Sequence, residues 1–312
     1  MSISSFEQFD RSKRWRPNRS LNKWLQRTIV AIFGLFALIS VLTTFGIVIT
    51  LLVDAIPFFQ EVPLVNFLTD TQWTPLFTQK EYGIFVLISA TFLTSVIAVA
   101  VALPLGLLSA VCLSEYAPRS LRRWLKPALE ILAGVPTVVY GYFALLFVTP
   151  ILRSFIPGMQ PFNSLSAGIV LGIAIIPTVA SLSEDAIYAV PNSLRQGAYA
   201  LGSTKREVIL GVVIPSALSG IVASFILGVS RAVGETMIVT IAAGQSPTLT
   251  LNPLVPVATM TAYIVQVSLG DAPAGSLAFK TIYAVGLTLF IITLVLNVFS
   301  FWFVRRFQQK YE

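Results

Sequence analysis

Six apolar runs, each about as long as a bilayer is thick, leave this chain few ways to fold. They cover roughly residues 28–53, 83–113, 128–152, 165–187, 217–243 and 280–304. About 20 apolar residues cross the hydrocarbon core as a helix, and a helix satisfies its own backbone where water is absent. The expected fold class is all-α, an integral membrane protein with six transmembrane helices. Only 11% of the 312 residues are charged, where a soluble domain carries about a quarter. Pro104, Pro136 and Pro177 fall inside the second, third and fourth runs and predict kinks.

The charges then orient the runs. Seven Lys and Arg lie in 1–27, four in 114–127, three in 188–216 and three in 305–312, against Lys80, Arg153 and Lys280 in the alternate segments. Basic loops stay on the cytoplasmic side, so both termini are expected there. The organisation that follows is a basic N-terminal segment, 1–27, a six-helix domain, 28–304, and a short tail, 305–312. The stretch before the first run is too long and polar for a secretory signal. Within it "NRSLNKWLQR", 18–27, reads either as a helix on the membrane surface with Trp24 at headgroup level, or as a charged tail that only sets orientation. The outer segments are 54–82, 153–164 and 244–279, the first and last long enough to dock a partner. In the last, "SPTLTLNPLVP" reads as irregular surface chain.

Several function classes drop out. There is no histidine, Cys112 is the one cysteine, and no acidic cluster has metal-ligand spacing. No metal site, cofactor or His-based catalysis is expected. The formal charge of +7 sits where it orients a membrane protein, so lipid and not nucleic acid is the partner it implies. No Gly-x-x-x-x-Gly-Lys-Ser/Thr occurs, so any ATP site is on another chain.

Two stretches carry chemistry. The first is the loop 188–216. Ser193 precedes Gln196 by three residues and Thr204 precedes Glu207 by three, two capping-box patterns. Gly202 suits the left-handed position that ends a helix. Two short helices, the first over 194–201 and the second leading toward Pro215, are expected. By spacing alone this is an ordinary helical hairpin or a docking surface.

The second is "SRAVGETMIV", 230–239. Arg231 and Glu235 are the only charged residues between Glu207 and Asp271. On a helical wheel Gly220, Ser224, Gly228, Arg231 and Glu235 share a stripe about 80° wide. Small residues four apart admit a neighbouring backbone. The two charges are i,i+4 partners and can pair. A buried pair can serve only to set helix register. Because a charge in lipid is so costly, a functional role is the expected one, and an Arg suits a bound oxyanion. Ser230 beside Arg231 does not make a nucleophile and base.

The remaining charges read as bland. Glu130 is expected to pair with Lys126, Glu115 with Arg119, and Glu184 and Asp185 to mark an interfacial helix end.

These motifs resemble those of a known family. "Q-G-A-Y-A-L-G", nine residues, then "V-V-I-P" is similar to the signature loop of ABC-importer permeases, with Gln196, Gly197 and Ala198 at its opening, Gly202 as its glycine and Pro215 at its end. The departures are Gln for Glu and Gly for Ala at the start, and Val212 and Ile214 for Ile and Leu. "R-A-V-G-E-T-M" resembles the Arg-Ala-x-Gly-Glu-Thr signature of phosphate-importer permeases. "L-S-E-Y", 113–116, and "A-G-V-P-T-V-V-Y-G", 133–141, resemble their C-type subunit.

The resemblance implies a type I, MetI-like permease core. It implies docking of a cytoplasmic ATPase at the 196–215 loop and a substrate path at Arg231, Glu235 and Thr236. The implied partners are a related A-type permease, two ATP-binding cassette subunits, a periplasmic phosphate-binding protein and phosphate itself. A permease for another oxyanion, or a secondary transporter or channel relaying ions through Arg231 and Glu235, stays open at this point.

Overall fold

The computed structural model describes residues 19–307. Residue 18 of the surface-helix stretch, the rest of the N-terminal segment before it, and the end of the tail with Lys310 lie outside them. Among the described residues, six helices are long and apolar enough to cross a membrane. They are span 1 (Lys23–Glu61), span 2 (Phe85–Tyr116), span 3 (Thr137–Phe155), span 4 (Ser164–Tyr188), span 5 (Lys205–Gly234) and span 6 (Leu277–Val304).

The chain divides into two units between Val53 and Asp54. In the first, a helix starts at Arg19 and continues as span 1, so the basic stretch from there on is not a separate surface helix. Its apolar side chains, Phe33, Phe36 and Phe45 among them, are exposed. Such a surface is stable in lipid and would not be in water.

The second unit is built on small residues. Every fourth residue of span 2 is small and buried: Ala90, Thr94, Ala98, Ala102, Gly106 and Ala110. Span 4 presents Gly168 and Gly172 to this stripe. A Cβ on Gly172 would stand 2.7 Å from the Ala98 carbonyl oxygen, and one on Gly168 would stand 2.7 Å from Ile97 Cβ. Lipid tails are as apolar as leucine, so helices gain by close packing and not by leaving the solvent. Span 5 runs antiparallel to span 4 in the same manner. Gly220 faces Ala186, the Ser224 and Ser183 hydroxyls bond at 2.7 Å, and Gly228 lies against Val179. The stripe of Gly220, Ser224 and Gly228 therefore meets a neighbouring helix, as its spacing implies.

Two spans differ from the apolar runs. The third run, 128–152, begins inside a separate amphipathic helix, Arg119–Gly134. That helix stops because Val135 precedes Pro136 and is extended, φ −67° and ψ 128°. Pro136 thus breaks the run where a kink was expected. The fifth run, 217–243, is two helices: span 5 ends at Gly234 and a short one follows, Met237–Ala242. Span 5 also starts earlier, at Lys205, and runs through Pro215. A π turn over Ile209–Val213 absorbs the missing proline N–H.

The outer segments are packed. The chain at 253–254 accepts backbone bonds from Gln160 and Leu165, each 2.9 Å. It then forms a buried helix, Met260–Gln266, with Thr259 as N-cap; the Met260 amide donates to Thr91 Oγ1 at 3.0 Å. The expected irregular stretch, 246–256, is indeed irregular and holds no buried residue, whereas the segment after it, 257–263, is core. Phe58, Phe67, Trp73, Tyr82 and Tyr263 close the same end in an edge-to-face cluster.

Candidate functional site

Arg231 lies in the last turn of span 5, half-buried. Its Nη1 donates to Thr178 Oγ1 on span 4, one residue after Pro177. Glu235 is not its partner. The helix ends between them, and Glu235 is extended, φ −67° and ψ 135°. Its Oε1 instead accepts from the Met237 and Ile238 amides, at 3.1 and 3.4 Å. Those amides are the unpaired N–H groups that begin the next helix, where a negative charge is favoured. Gly234, a poor helix former, makes the break cheap. Thr261 Oγ1 donates to the Glu235 carbonyl at 2.7 Å and holds the bend. The expected i,i+4 ion pair is therefore corrected: the carboxylate caps one helix, and the guanidinium projects from the end of another. Thr236 is half-buried within the bend, its hydroxyl donating to the Gly234 carbonyl at 3.3 Å. Gly141 of span 3 lies against the same short helix, where a Cβ would meet Ile241 Cδ1 at 2.9 Å and the Met237 carbonyl oxygen at 3.2 Å.

A cavity of about 340 Å³ opens beside Thr178. Ser181 and Glu184 of span 4 and Lys126 and Glu130 of the Arg119–Gly134 helix line it. Its far end is a charge cluster. Glu184 is 1% exposed; Arg122 Nη2 holds its Oε1, and Lys126 Nζ lies 3.5 Å from its Oε2 and 3.9 Å from Asp185. Arg122 also sits over the Tyr188 ring, 5.3 Å from its centroid. Glu184 and Asp185 do lie at the end of span 4 and Asp185 is exposed, but Glu184 is a buried carboxylate with two cations. Lys126 turns to it and away from Glu130. Sequence spacing could not find this, because Lys126 and Glu184 come from different helices. Glu115 likewise takes a remote partner, Arg195, at 3.0 Å. The Arg119 side chain, expected beside it, lies outside the described side chains.

At the same end of the molecule the loop after span 4 forms the helix Asn192–Ala200. It starts behind Pro191 with no side-chain cap, so the Ser193–Gln196 box does not form. Pro191 takes the N-cap position and Asn192 begins the helix, which leaves Ser193 two residues too late to cap it. The helix ends as expected at Gly202, φ +82°. The Ser203 amide donates to the Ala198 carbonyl at 3.2 Å and the Gly202 amide to that of Tyr199 at 3.0 Å, a Schellman pair. The Thr204–Glu207 capping box forms and starts span 5. Gln196 and Gly197 are exposed, Ala198 is half-buried, and Pro215 is exposed in the span's first turns. Leu194, Tyr199 and Leu201 stand out beside them, Leu201 at 88% exposure. An apolar edge on a basic, polar end fits a helix-in-groove contact.

The comparisons with known proteins agree with this layout. A family model described as "Binding-protein-dependent transport system inner membrane component" matches residues 102–312. The phosphate transport system permease protein PstC of Haemophilus influenzae is 32% identical, over 92% of this chain and 95% of its own. The probable ABC transporter permease protein YqgH of Bacillus subtilis is 32% identical, over 89% of each chain. Among solved structures, a bacterial alginate ABC transporter, crystallised with an alginate pentasaccharide-bound periplasmic protein, has a chain similar at TM-score 0.64 and 16% identity. That match covers 93% of this chain and 97% of that one. A chain of the inward-facing MetNI methionine ABC transporter is similar at TM-score 0.53 and 19% identity, over 73% of this chain and 95% of that one. Six apolar helices, the short helix ending at Gly202 and these matches lead to one family: the chain belongs to the binding-protein-dependent transport system inner membrane components, the permease subunits of ABC transporters.

Proposed function

We propose that this chain is the C-type permease subunit of an ATP-driven importer of inorganic phosphate, with the basic loops and both termini cytoplasmic. One observation carries the substrate class. Within a membrane span, the Arg231 guanidinium has a hydroxyl as its partner, and among the described residues no carboxylate within ion-pair range. A cation at bilayer depth costs about 2.5–3.5 kcal/mol on insertion scales. Left without a counter-ion, it suits a ligand that brings one. Its planar fork matches a tetrahedral oxyanion bidentately. Glu235, drawn off to the helix at Met237, leaves that fork open. The relatives named for phosphate transport support phosphate as the oxyanion.

The path forms against a second, related permease. Of two ATP-binding cassette subunits, one docks on this chain at Gln196, Gly197, Ala198 and the turn at Gly202, and a periplasmic phosphate-binding protein delivers substrate at the opposite face. Hydrolysis is on the cassette subunits. Reconstitution in vesicles tests the reading. The full complex should accumulate phosphate with ATP, and this chain alone should accumulate nothing. Concentrative uptake by the lone chain would overturn the proposal. ATP-driven uptake of sulfate without phosphate would reassign the anion.

A further inference from the structure

Arg195 stands in the exposed helix Asn192–Ala200, a helix with no buried residue, yet its own side chain is only 15% exposed. It reaches back into the protein body. Nη2 donates to Glu115 Oε1 at 3.0 Å and to the Ile187 carbonyl at 2.8 Å. Nη1 donates to the Val190 carbonyl and, at 3.3 Å, to Asn192 Oδ1. Glu115 lies in the π turn Cys112–Tyr116 that ends span 2, with its side chain 12% exposed. Ile187 is in the last turn of span 4, and Val190 lies just beyond it. One guanidinium thus ties three elements at one point: the exposed helix, the end of span 2 and the end of span 4. That helix also packs through Ala198 on the cluster that holds Ile187, Val190 and Val208.

Spans 2 and 4 are the pair packed backbone to backbone at Ala98 and Gly172. A displacement passed to their ends moves both together. Span 4 also carries Thr178, the acceptor for Arg231. We infer that Arg195 is a positioning residue for transport: its bonds to Glu115, Ile187 and Val190 transmit movement of the docked helix to spans 2 and 4, and through Thr178 to Arg231. The inference rests on the reading of 192–202 as the ATPase dock. Its physical basis is that charge-assisted, forked hydrogen bonds are directional and stiff, whereas a single alanine contact slides. A chain of contacts is not by itself proof of coupling, so the test must read coupling and not only stability.

The test uses the complete complex in vesicles. Arg195→Gln removes the fork. Glu115→Ala removes only the tie to span 2 and leaves the span 4 carbonyls their donor, so it serves if the first variant assembles poorly. Phosphate taken up per ATP hydrolysed is the readout, with a photo-crosslinker at Leu201 reporting the dock. The expected result is that Leu201 still crosslinks to the ATPase and hydrolysis continues. Uptake per ATP should fall about tenfold or more, the worth of one charge-assisted hydrogen bond. Arg195→Lys, which keeps the charge beside Glu115 without the fork, should fall between. A merely structural tie would lower uptake and hydrolysis together with the amount of complex and leave their ratio unchanged. That outcome, with the crosslink intact, overturns the inference alone. Loss of the Leu201 crosslink in the unaltered protein overturns the docking reading, and the inference with it.

Discussion

Thr178 on span 4, and not Glu235 four residues along its own chain, receives the Arg231 guanidinium. The pair joins the end of span 5 to span 4 one residue after Pro177, and Thr178 lines the cavity that Lys126 and Glu184 also line. Because Arg231 gives one bond to a hydroxyl and none to a carboxylate among the described residues, substituting it strands no buried acid.

Arg231→Gln should therefore insert and assemble normally and lower phosphate uptake by about a hundredfold or more, since a desolvated charge contact is worth about 2–5 kcal/mol. Arg231→Lys should be impaired as well, because an ammonium keeps the charge and loses the fork. Initial uptake rates at matched membrane levels decide it. Wild-type uptake in Arg231→Gln would remove this residue from the path.

Glu235→Gln keeps an amide oxygen for the Met237 and Ile238 N–H groups, and Glu235→Ala does not. The alanine variant should lose about 1 kcal/mol, the usual value of a helix cap, and the glutamine variant much less. Thermal unfolding in detergent compares them. Equal loss in both would mean that the charge itself, and not the cap, stabilises the bend.

Gly202→Val should uncouple the ATPase while the protein still inserts. At φ +82° a β-branched residue is strained by at least about 1–2 kcal/mol, and the turn re-aims Leu201 and Tyr199. Co-purification of the cassette subunits should drop. Full retention with normal uptake would argue against docking there.

Gly172→Ala puts a Cβ 2.7 Å from the Ala98 carbonyl oxygen. Backbone cannot give way as a flexible side chain can, so the cost should reach about 1–3 kcal/mol. Gly134→Ala, with nothing within 4 Å, is the control and should be neutral or slightly stabilising. Membrane levels and unfolding temperature should separate the two. Equal levels would mean that spans 2 and 4 can move apart at no cost.

What the sequence determined is whatever depends on neighbours along the chain. Lipid leaves the backbone no partner but itself, so each apolar run had to become helix. The stripe at Gly220, Ser224 and Gly228, the Thr204–Glu207 box and the left-handed turn at Gly202 are local as well, and all were legible. So were the residue types at Arg231 and at 196–202. The tertiary structure alone decided who pairs with whom. Local spacing put Glu235 with Arg231 and Lys126 with Glu130. In the fold Arg231 goes to Thr178 and Lys126 to Glu184, and Glu115 meets Arg195, which no local spacing could show. An i,i+4 pair on an exposed helix is worth only a few tenths of a kcal/mol. A partner on another helix, at a buried junction, is worth several times that. Likewise the end of span 5 at Gly234 was hidden inside an apolar run. Hydropathy cannot show that two backbone amides beyond it, at Met237 and Ile238, hold the carboxylate more firmly than an exposed i,i+4 pair would.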